Sequence, residues 1–415
     1  MNNILLVYPK PSLDKNPRFG FSMQLLQLAS VLKMNNATVF YLDYSYEEYS
    51  KETLIHYINE NHVDIVITEI DTFALKRSEN LSNAIEILKL AKNNNIKTMA
   101  FGYSCIMDSD SIFYADYVVK ANPLIEIPKL IFESPNMPNK NNYDTLPYPD
   151  RDLLLTNDFF AKNNNSTLIR TAEGCLNSCI FCQRRGWQNS YKKHSIDYVI
   201  KEFTYLKEKH YKNVWINDEN FTFDIYRAKK ILVKLINNSL TDEMKISISS
   251  WSKIDKEFLD LFKEAKGSII SMGIESANDE ILDFYEKRID LNKIKELIDY
   301  ADSIGIYMVG NFIIGAPMES EKSIENTFSY ISDSKLDQVN IKILDYMIGS
   351  VLYERLAKKE KHHYFACSEN GLCQFPLQDL INLKNNFLAK FYRKNQNRLK
   401  EKIIKFGEPY YQIKY

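Results

Sequence analysis

Residues Thr171–Gly186, TAEGCLNSCIFCQRRG, hold three of the chain's six cysteines, Cys175, Cys179 and Cys182, in a C-x3-C-x2-C array. Thiols this close in sequence share one loop, so the fold must deliver that loop to a place where three sulfurs can converge. Three thiolates can hold three corners of an iron–sulfur cube. No fourth ligand lies nearby, so one iron would stay open to another group. Zinc is the alternative, but a structural zinc site closes with four N/S ligands. His194, twelve residues beyond Cys182, falls outside familiar zinc spacings. Accidental clustering of buried cysteines is the third reading.

Bulk properties narrow the setting. Lys+Arg 53 against Asp+Glu 54 gives a net charge of -1, so nothing steers the chain toward nucleic acid or an anionic membrane. No apolar run approaches the roughly 18 residues of a membrane span. The start, MNNILLVYPKPSL, has neither the basic segment nor the cleavage site of a secretory signal. Cysteines this few and uneven do not make a disulfide framework, so a reducing cytoplasm is the expected compartment.

Along the chain, short apolar runs alternate with amphipathic ones. Asn3–Tyr8, Ala37–Leu42, Val63–Thr68, Thr98–Gly102 and Tyr117–Lys120 read as strands, with helices at Ser22–Lys33, Glu52–Asn61 and Leu81–Asn93. This rhythm predicts a doubly wound parallel α/β sheet, with ligands at the C-terminal strand ends and Pro9–Gly20 at the pocket rim. The Pro-, Asn- and Asp-rich stretch Ser134–Asp152 reads as a linker. From Thr167 the βα rhythm resumes for six steps, too few for an eight-stranded barrel, so a partial (β/α)6 barrel is expected. Its strands are Thr167–Ala172, Asn213–Asn217, Lys245–Trp251, Ser268–Glu275, Tyr307–Gly315 and Gln338–Asp345, and a basic helical tail follows. The expected domains are 1–133, a linker 134–165, a barrel 166–358 and a helical extension 359–415.

TAEGCLNSCIFCQRR, with Phe181 before its last cysteine, resembles the cluster loop of the radical S-adenosylmethionine (radical SAM) superfamily. The resemblance implies a [4Fe–4S] cluster on Cys175, Cys179 and Cys182, with SAM chelating the open iron. It also implies reductive cleavage to methionine and a 5′-deoxyadenosyl radical, and an electron donor such as flavodoxin or ferredoxin. NDENFTFD resembles the segment near the SAM amino group, where Asp218 and Glu219 could pair with the ammonium; the bland alternative is a cap for the next helix. GIESANDEILDFYEK resembles the segment in which Glu275 and Ser276 face the SAM ribose, and the alternative is Ser276 or Asn278 capping the next helix. GNFIIGAPMES resembles the segment beside the adenine, where Gly315 would admit close backbone approach. The resemblance covers about residues 166–358.

Residues 1–150 resemble the cobalamin-binding domain of one radical SAM class, through the YPKPS loop, the strand order and the linker LPYPDRDLL. They depart from it in lacking D-x-H-x-x-G; the histidines here are His56 and His62. FGYSCIMDSDSI and VVKANPLIEI also lack the expected glycines, so both a cobalamin site and a degenerate domain stay open. Cys105 reads as a small buried hydrophobe. Cys367 and Cys373, in ACSENGLC, are either hydrogen donors to a substrate radical, ligands of a second cluster or ordinary thiols. The expected activity is radical SAM modification of an unactivated carbon in a peptide or natural product, with cobalamin-dependent methylation preferred. A cobalamin-independent epimerase or ring-forming enzyme using Cys367 or Cys373 is the first alternative. A non-catalytic, zinc-holding interaction protein is the second.

Overall fold

The computed structural model describes residues 2–9, 21–44, 49–70, 79–139, 141–156, 166–186, 190–251, 253–356 and 362–409. The expected rim loop therefore lies outside the described residues beyond Pro9, as do linker residues 157–165. The chain divides into Met1–Asn164 with Lys358–His363, and Asn165–Ala357 with Tyr364–Tyr415.

In the first unit, β1 (Asn3–Tyr8), β2 (Thr38–Asp43), β3 (Ile65–Glu69), β4 (Lys97–Phe101) and β5 (Tyr117–Val119) form one parallel sheet in the order β2-β1-β3-β4-β5. Sequence pattern and position agree. The continuous run NILLVY is buried on both faces and lies between neighbours, whereas TVFYLD alternates buried and half-buried residues at the edge. Helices α1 (Met23–Lys33), α2 (Lys51–Glu60) and α3 (Glu79–Asn93) connect these strands. Two further helices, α4 (Tyr103–Met107) and α5 (Pro123–Ile131), occupy stretches with no helix in the sequence reading. In α5 a proline sits in the first turn behind the Asn122 cap, a start signal masked by Pro128 inside the helix. The stretch read as a linker is bound along α1: Ser30 donates to Tyr148 O at 2.7 Å, Asp150 N to Leu26 O at 3.0 Å, and Lys33 pairs with Asp150 at 2.6 Å.

The second unit holds six parallel strands in chain order: β6 (Ser166–Ile169), β9 (Asn213–Ile216), β10 (Lys245–Ser250), β11 (Gly267–Glu275), β12 (Tyr307–Ile314) and β13 (Gln338–Ile343). Between β6 and β9 a small antiparallel ladder joins β7 (Ala172–Glu173) to β8 (Lys192–Lys193) at the two ends of the cysteine loop. The strand expected over Thr167–Ala172 thus breaks after Ile169. The connecting helices α6 (Ile196–Glu208), α7 (Ile225–Asn237), α8 (Lys256–Glu264), α10 (Leu291–Ser303) and α11 (Glu321–Ser332) start on caps Ser195, Asp224, Asp255, Asp290 and Ser320. Their Ser or Asp oxygens accept the second or third helical N–H, and for this reason the first helical residue falls one place after the polar signal. A short helix, α9 (Asp279–Phe284), precedes α10. Ile169, Val214, Ile248, Ile270, Met308 and Ile341 from the strands pack with these helices into one core.

The six-stranded sheet ends at β13 without closing. Past the short elements β14 (Asp345–Tyr346), α12 (Val351–Arg355) and β15 (Tyr364–Phe365), the 30-residue helix α13 (Leu377–Phe406) covers that edge. The Tyr392 hydroxyl both accepts from Val339 N at 3.3 Å and donates to Val339 O at 3.2 Å, occupying backbone groups an edge strand leaves open. Below, Asp337 is fully out of water. It takes Lys402 at 2.8 Å and Arg398 at 3.1 Å, and both cations also reach Asp302. Removing one partner from such a buried network strands a charge. Lys402→Met is therefore expected to lower the unfolding free energy by about 3–5 kcal/mol in urea titrations, and Asp337→Asn in the same chain to restore much of the loss.

Candidate functional site

The cysteine loop leaves the C-terminal end of β6, the face where parallel barrels keep their chemistry. Its shape is set from β9. The Asp218 carboxylate, two residues beyond that strand, accepts Thr171 N at 2.7 Å, Thr171 Oγ1 at 2.5 Å and Ala172 N at 3.1 Å. Burial pushes Asp218 up to about 6, against the pull of these donors. Glu219 accepts the Gly174 N–H at 2.8 Å, directly before Cys175, and also pairs with Arg184, two residues after Cys182. Arg227, in the first turn of α7, donates to Thr171 O at 3.0 Å and His194 O at 2.8 Å. The two carboxylates expected to meet an ammonium are thus engaged in holding the cysteine loop. The cap of α7 is Asp224, so the helix-capping alternative does not describe them either.

More distant elements also fix the loop. Ile180 N donates to Tyr285 O at 3.3 Å and Leu352 N to Ile180 O at 3.1 Å, while Phe181 meets Tyr285 edge-on at 5.2 Å. All three cysteines are free thiols. Cys175 accepts from Asn177 Nδ2, and Cys179 from Trp251 Nε1, each at 3.3 Å. Burial raises the Cys179 thiol to about 11, a rise opposed by the nearby Lys287 ammonium and the Trp251 N–H. Cys182 is likewise raised by burial and lies within electrostatic reach of Cys175. Among the described residues no three His, Cys, Asp or Glu side chains meet at one metal-ion position. A cube takes each thiolate on a different iron and does not ask for that convergence. Three free thiols on one loop, two with N–H donors, fit a cube. His194 stacks on Tyr198 at 3.8 Å.

Next around the sheet, β11 breaks register between Gly273 and Glu275, and Glu275 takes a left-handed φ of 71°. A non-glycine residue held there is strained, and such strain collects at sites of function. The bulge turns the Glu275 carboxylate onto Lys287 at 3.1 Å. Gly273 leaves room for the pair: a Cβ there would lie 2.9 Å from Lys287 Nζ. Ser276, expected at a ribose, is fully enclosed, and its hydroxyl accepts from Asn278 N at 3.2 Å. Asn278 stands at the N-cap of the helix that follows, but its side chain makes no cap bond and donates to Ser323 O at 2.8 Å.

At the end of β12, Gly315 has φ 98°, and its N–H and that of Ala316 converge on one oxygen of Glu319. The close approach expected at Gly315 is made by the tail: a Cβ would meet Ala366 O and Leu380 Cδ1, each at 3.3 Å. Glu319 is a functional candidate the sequence reading passed over. It is 1% exposed, its Oε1 finds no hydrogen-bond partner among the described residues, and burial lifts it to about 7. The Tyr285 hydroxyl is equally buried and unpartnered, and it lies within electrostatic reach of Glu319, Glu275, Tyr346 and Cys373. Cys367 is buried, while Cys373 is half-buried and donates weakly to Ala366 O at 3.3 Å. No signal short of the strand order could have joined Tyr285 to Glu319.

In the first unit, Cys105 is fully buried in α4, its thiol raised to about 12 by burial. His62 lies just ahead of β3, at the N-terminal end of the sheet and away from the C-terminal strand ends where this architecture takes ligands, and His56 is exposed midway along α2. The Thr68 and Ser104 hydroxyls, fully buried near the ends of β3 and β4, have no hydrogen-bond partner among the described residues. They fit a ligand with a polar tail.

Fold and site together describe a partial βα barrel that carries three free thiols on one loop at its strand ends. Residues 169–331 match the Radical SAM superfamily. An uncharacterized methyltransferase of Pyrococcus horikoshii is 27% identical over 222 residues, 53% of this chain and 48% of that protein. The cytidylyl-2-hydroxyethylphosphonate methyltransferase of Streptomyces wedmorensis is 26% identical over 222 residues, 50% of this chain and 41% of that protein. The chain thus aligns with about half the length of these relatives. The structure of TsrM, a radical S-adenosylmethionine methyltransferase of Kitasatospora setae, superposes with a TM-score of 0.71 at 16% identity, over 85% of this chain and 75% of that one. OxsB, a cobalamin-dependent S-adenosylmethionine radical enzyme, does so with a TM-score of 0.65 at 18% identity, over 86% and 56%. At such identities the likeness establishes the two-part architecture alone.

Glu319 carries a pH signature. With its pKa raised from 4.5 to about 7, the folded chain holds a proton that the unfolded chain releases between those values. Stability should then fall as pH rises through that window, by on the order of 1–3 kcal/mol. Glu319→Gln keeps an acceptor for both backbone N–H groups and should flatten this part of the profile, measured by urea unfolding at about pH 5 and about pH 7.5.

Proposed function

We propose that the chain is a radical SAM methyltransferase acting on an unactivated carbon of a small molecule or peptide. The observation that carries the reading is the cysteine loop held at the C-terminal end of β6 by Asp218 and Glu219. A [4Fe–4S] cluster on Cys175, Cys179 and Cys182 would supply the electron for reductive SAM cleavage, and cobalamin in the first unit would supply the methyl group. The curated methyltransferase relatives and the fold shared with TsrM and OxsB support this choice. A cobalamin bound here would have no lower ligand from His62, which lies at the N-terminal end of the sheet, or from His56, which is exposed on the outer face of α2.

The chain's own residues divide the work. Asp218, Glu219 and Arg227 hold the loop. Glu275, fixed by Lys287 on a strained bulge, offers a carboxylate at a strand end, suited to a ribose diol. Phe181 and Tyr285 form an apolar wall beside the thiols. The reductant is a one-electron carrier of the flavodoxin or ferredoxin kind. No helix of the described residues is long and apolar enough to cross a membrane, which suits the cytoplasmic setting of such chemistry.

Anaerobic reconstitution tests the reading. The wild-type chain should take up iron and sulfide and, with SAM and dithionite, release methionine and 5′-deoxyadenosine. Each of Cys175→Ala, Cys179→Ala and Cys182→Ala should lose at least tenfold of that activity. An iron-free, colourless protein would sink the proposal. Hydroxocobalamin that stays with the chain through gel filtration would support the methyl-transfer half, and its loss would remove it.

A second reading, a cobalamin-independent epimerase or ring-forming enzyme, rests on Cys373, which lies within electrostatic reach of Tyr285, Tyr346 and Glu319. Cys367 is buried to 2% exposure and suits a hydrogen donor less. Under this reading Cys373→Ala stops turnover but leaves SAM cleavage intact, and Cys367→Ala leaves both intact. Full turnover in both variants discards it.

A further inference from the structure

One of the three thiols is contacted from outside its own loop. Trp251, the residue after β10, donates its indole N–H to Cys179 Sγ at 3.3 Å. The Lys287 ammonium lies 4.6 Å from the centre of that indole and is entirely out of water, its carboxylate partner being Glu275 at 3.1 Å. The chain Glu275–Lys287–Trp251–Cys179 thus runs from the bulge of β11 to the cysteine loop. Packing does not account for it. A lysine removed from water costs several kcal/mol of desolvation, and an apolar side chain of similar volume would fill the space without that cost. The room cleared by Gly273 and the strained backbone of Glu275 are further costs borne by the same arrangement.

We propose that Trp251 and Lys287 are positioning residues that raise the reduction potential of the centre on the cysteine loop, bringing it within reach of a one-electron carrier. The proposal rests on the radical SAM reading. Reduction adds one electron to a thiolate-ligated centre, and the carrier loses one; no bond forms and no proton moves. The added negative charge is stabilised by a hydrogen bond to a ligand sulfur and by a cation in a medium of low dielectric. Glu275 opposes this effect but bonds to Lys287 and not to the loop, whereas the indole N–H touches the sulfur and the ammonium sits against the indole. The sign is therefore set: removing the ammonium or the indole N–H makes reduction harder. Glu275 serves by holding the ammonium over the ring.

The test is a redox titration of the reconstituted full chain without SAM, followed by electron paramagnetic resonance, with iron and sulfide assayed first. Trp251→Phe keeps an aromatic ring and removes the N–H, and Lys287→Met removes the charge. Each should lower the one-electron reduction equilibrium constant about tenfold, a downward shift of about 59 mV. Lys287→Arg should restore the wild-type potential. Lys287→Met leaves Glu275 unpaired, so the double variant Glu275→Gln/Lys287→Met is measured beside it and should show the same direction of shift. Wild-type potentials in Trp251→Phe and the double variant, at full iron and sulfide content, would overturn the proposal alone. A wild-type chain that takes up no iron and sulfide overturns the radical SAM reading and this proposal with it.

Discussion

The buried Asp218 carboxylate is the contact on which the site's geometry depends. The loop that carries the thiols has little regular structure, and a loop with unpaired backbone donors at its root would be free to swing. Asp218 satisfies two of those N–H groups and the Thr171 hydroxyl at once, from a strand already registered against β6 through Thr167 and Val214. Glu219 then grips the loop just before its first cysteine and just after its last. One parallel strand pair therefore supplies both the rigidity and the address of the thiols. The cost is a carboxylate out of water, visible as its upward shift to about 6.

Most of the architecture could be read from local pattern, because hydrophobic period and cap chemistry are local quantities. NILLVY as a doubly buried strand and the Ser or Asp starts of the barrel helices needed no partner to be recognised. The cysteine array was legible for the same reason. What escaped depends on neighbours far along the chain: the hold of Asp218 on Thr171, 47 residues away, and the indole of Trp251 on Cys179, 72 residues away. The spacing of NDENFTFD shows two acids after a strand, but only the strand order shows that they face the preceding loop. Ser276 reads as a pocket residue by its place after a strand, yet the bulge at Glu275 turns it inward.

Two elements near the strand ends carry strain or unmet polarity: the left-handed Glu275 and the half-satisfied Glu319, within electrostatic reach of the Tyr285 hydroxyl. A stable fold has no need of either. Both lie where the parallel sheet presents its C-terminal edge, and both are flanked by glycines that make their positions attainable. Local rules are broken at the candidate site and kept elsewhere, as expected when a chain gives up stability for chemistry.

The tail has a further consequence for how the chain can be divided. A boundary after the sixth barrel strand looks natural in the sequence, since the βα rhythm stops there. In the structure α13 covers β13, Tyr392 occupies the backbone of Val339, and the loop ending at Phe375 packs on the turn at Gly315. A protein ending near Arg355 would present a bare, apolar strand edge to its neighbours, the kind of surface on which chains add to one another. The final helix thus shields an edge to which copies of an open barrel would otherwise be able to add.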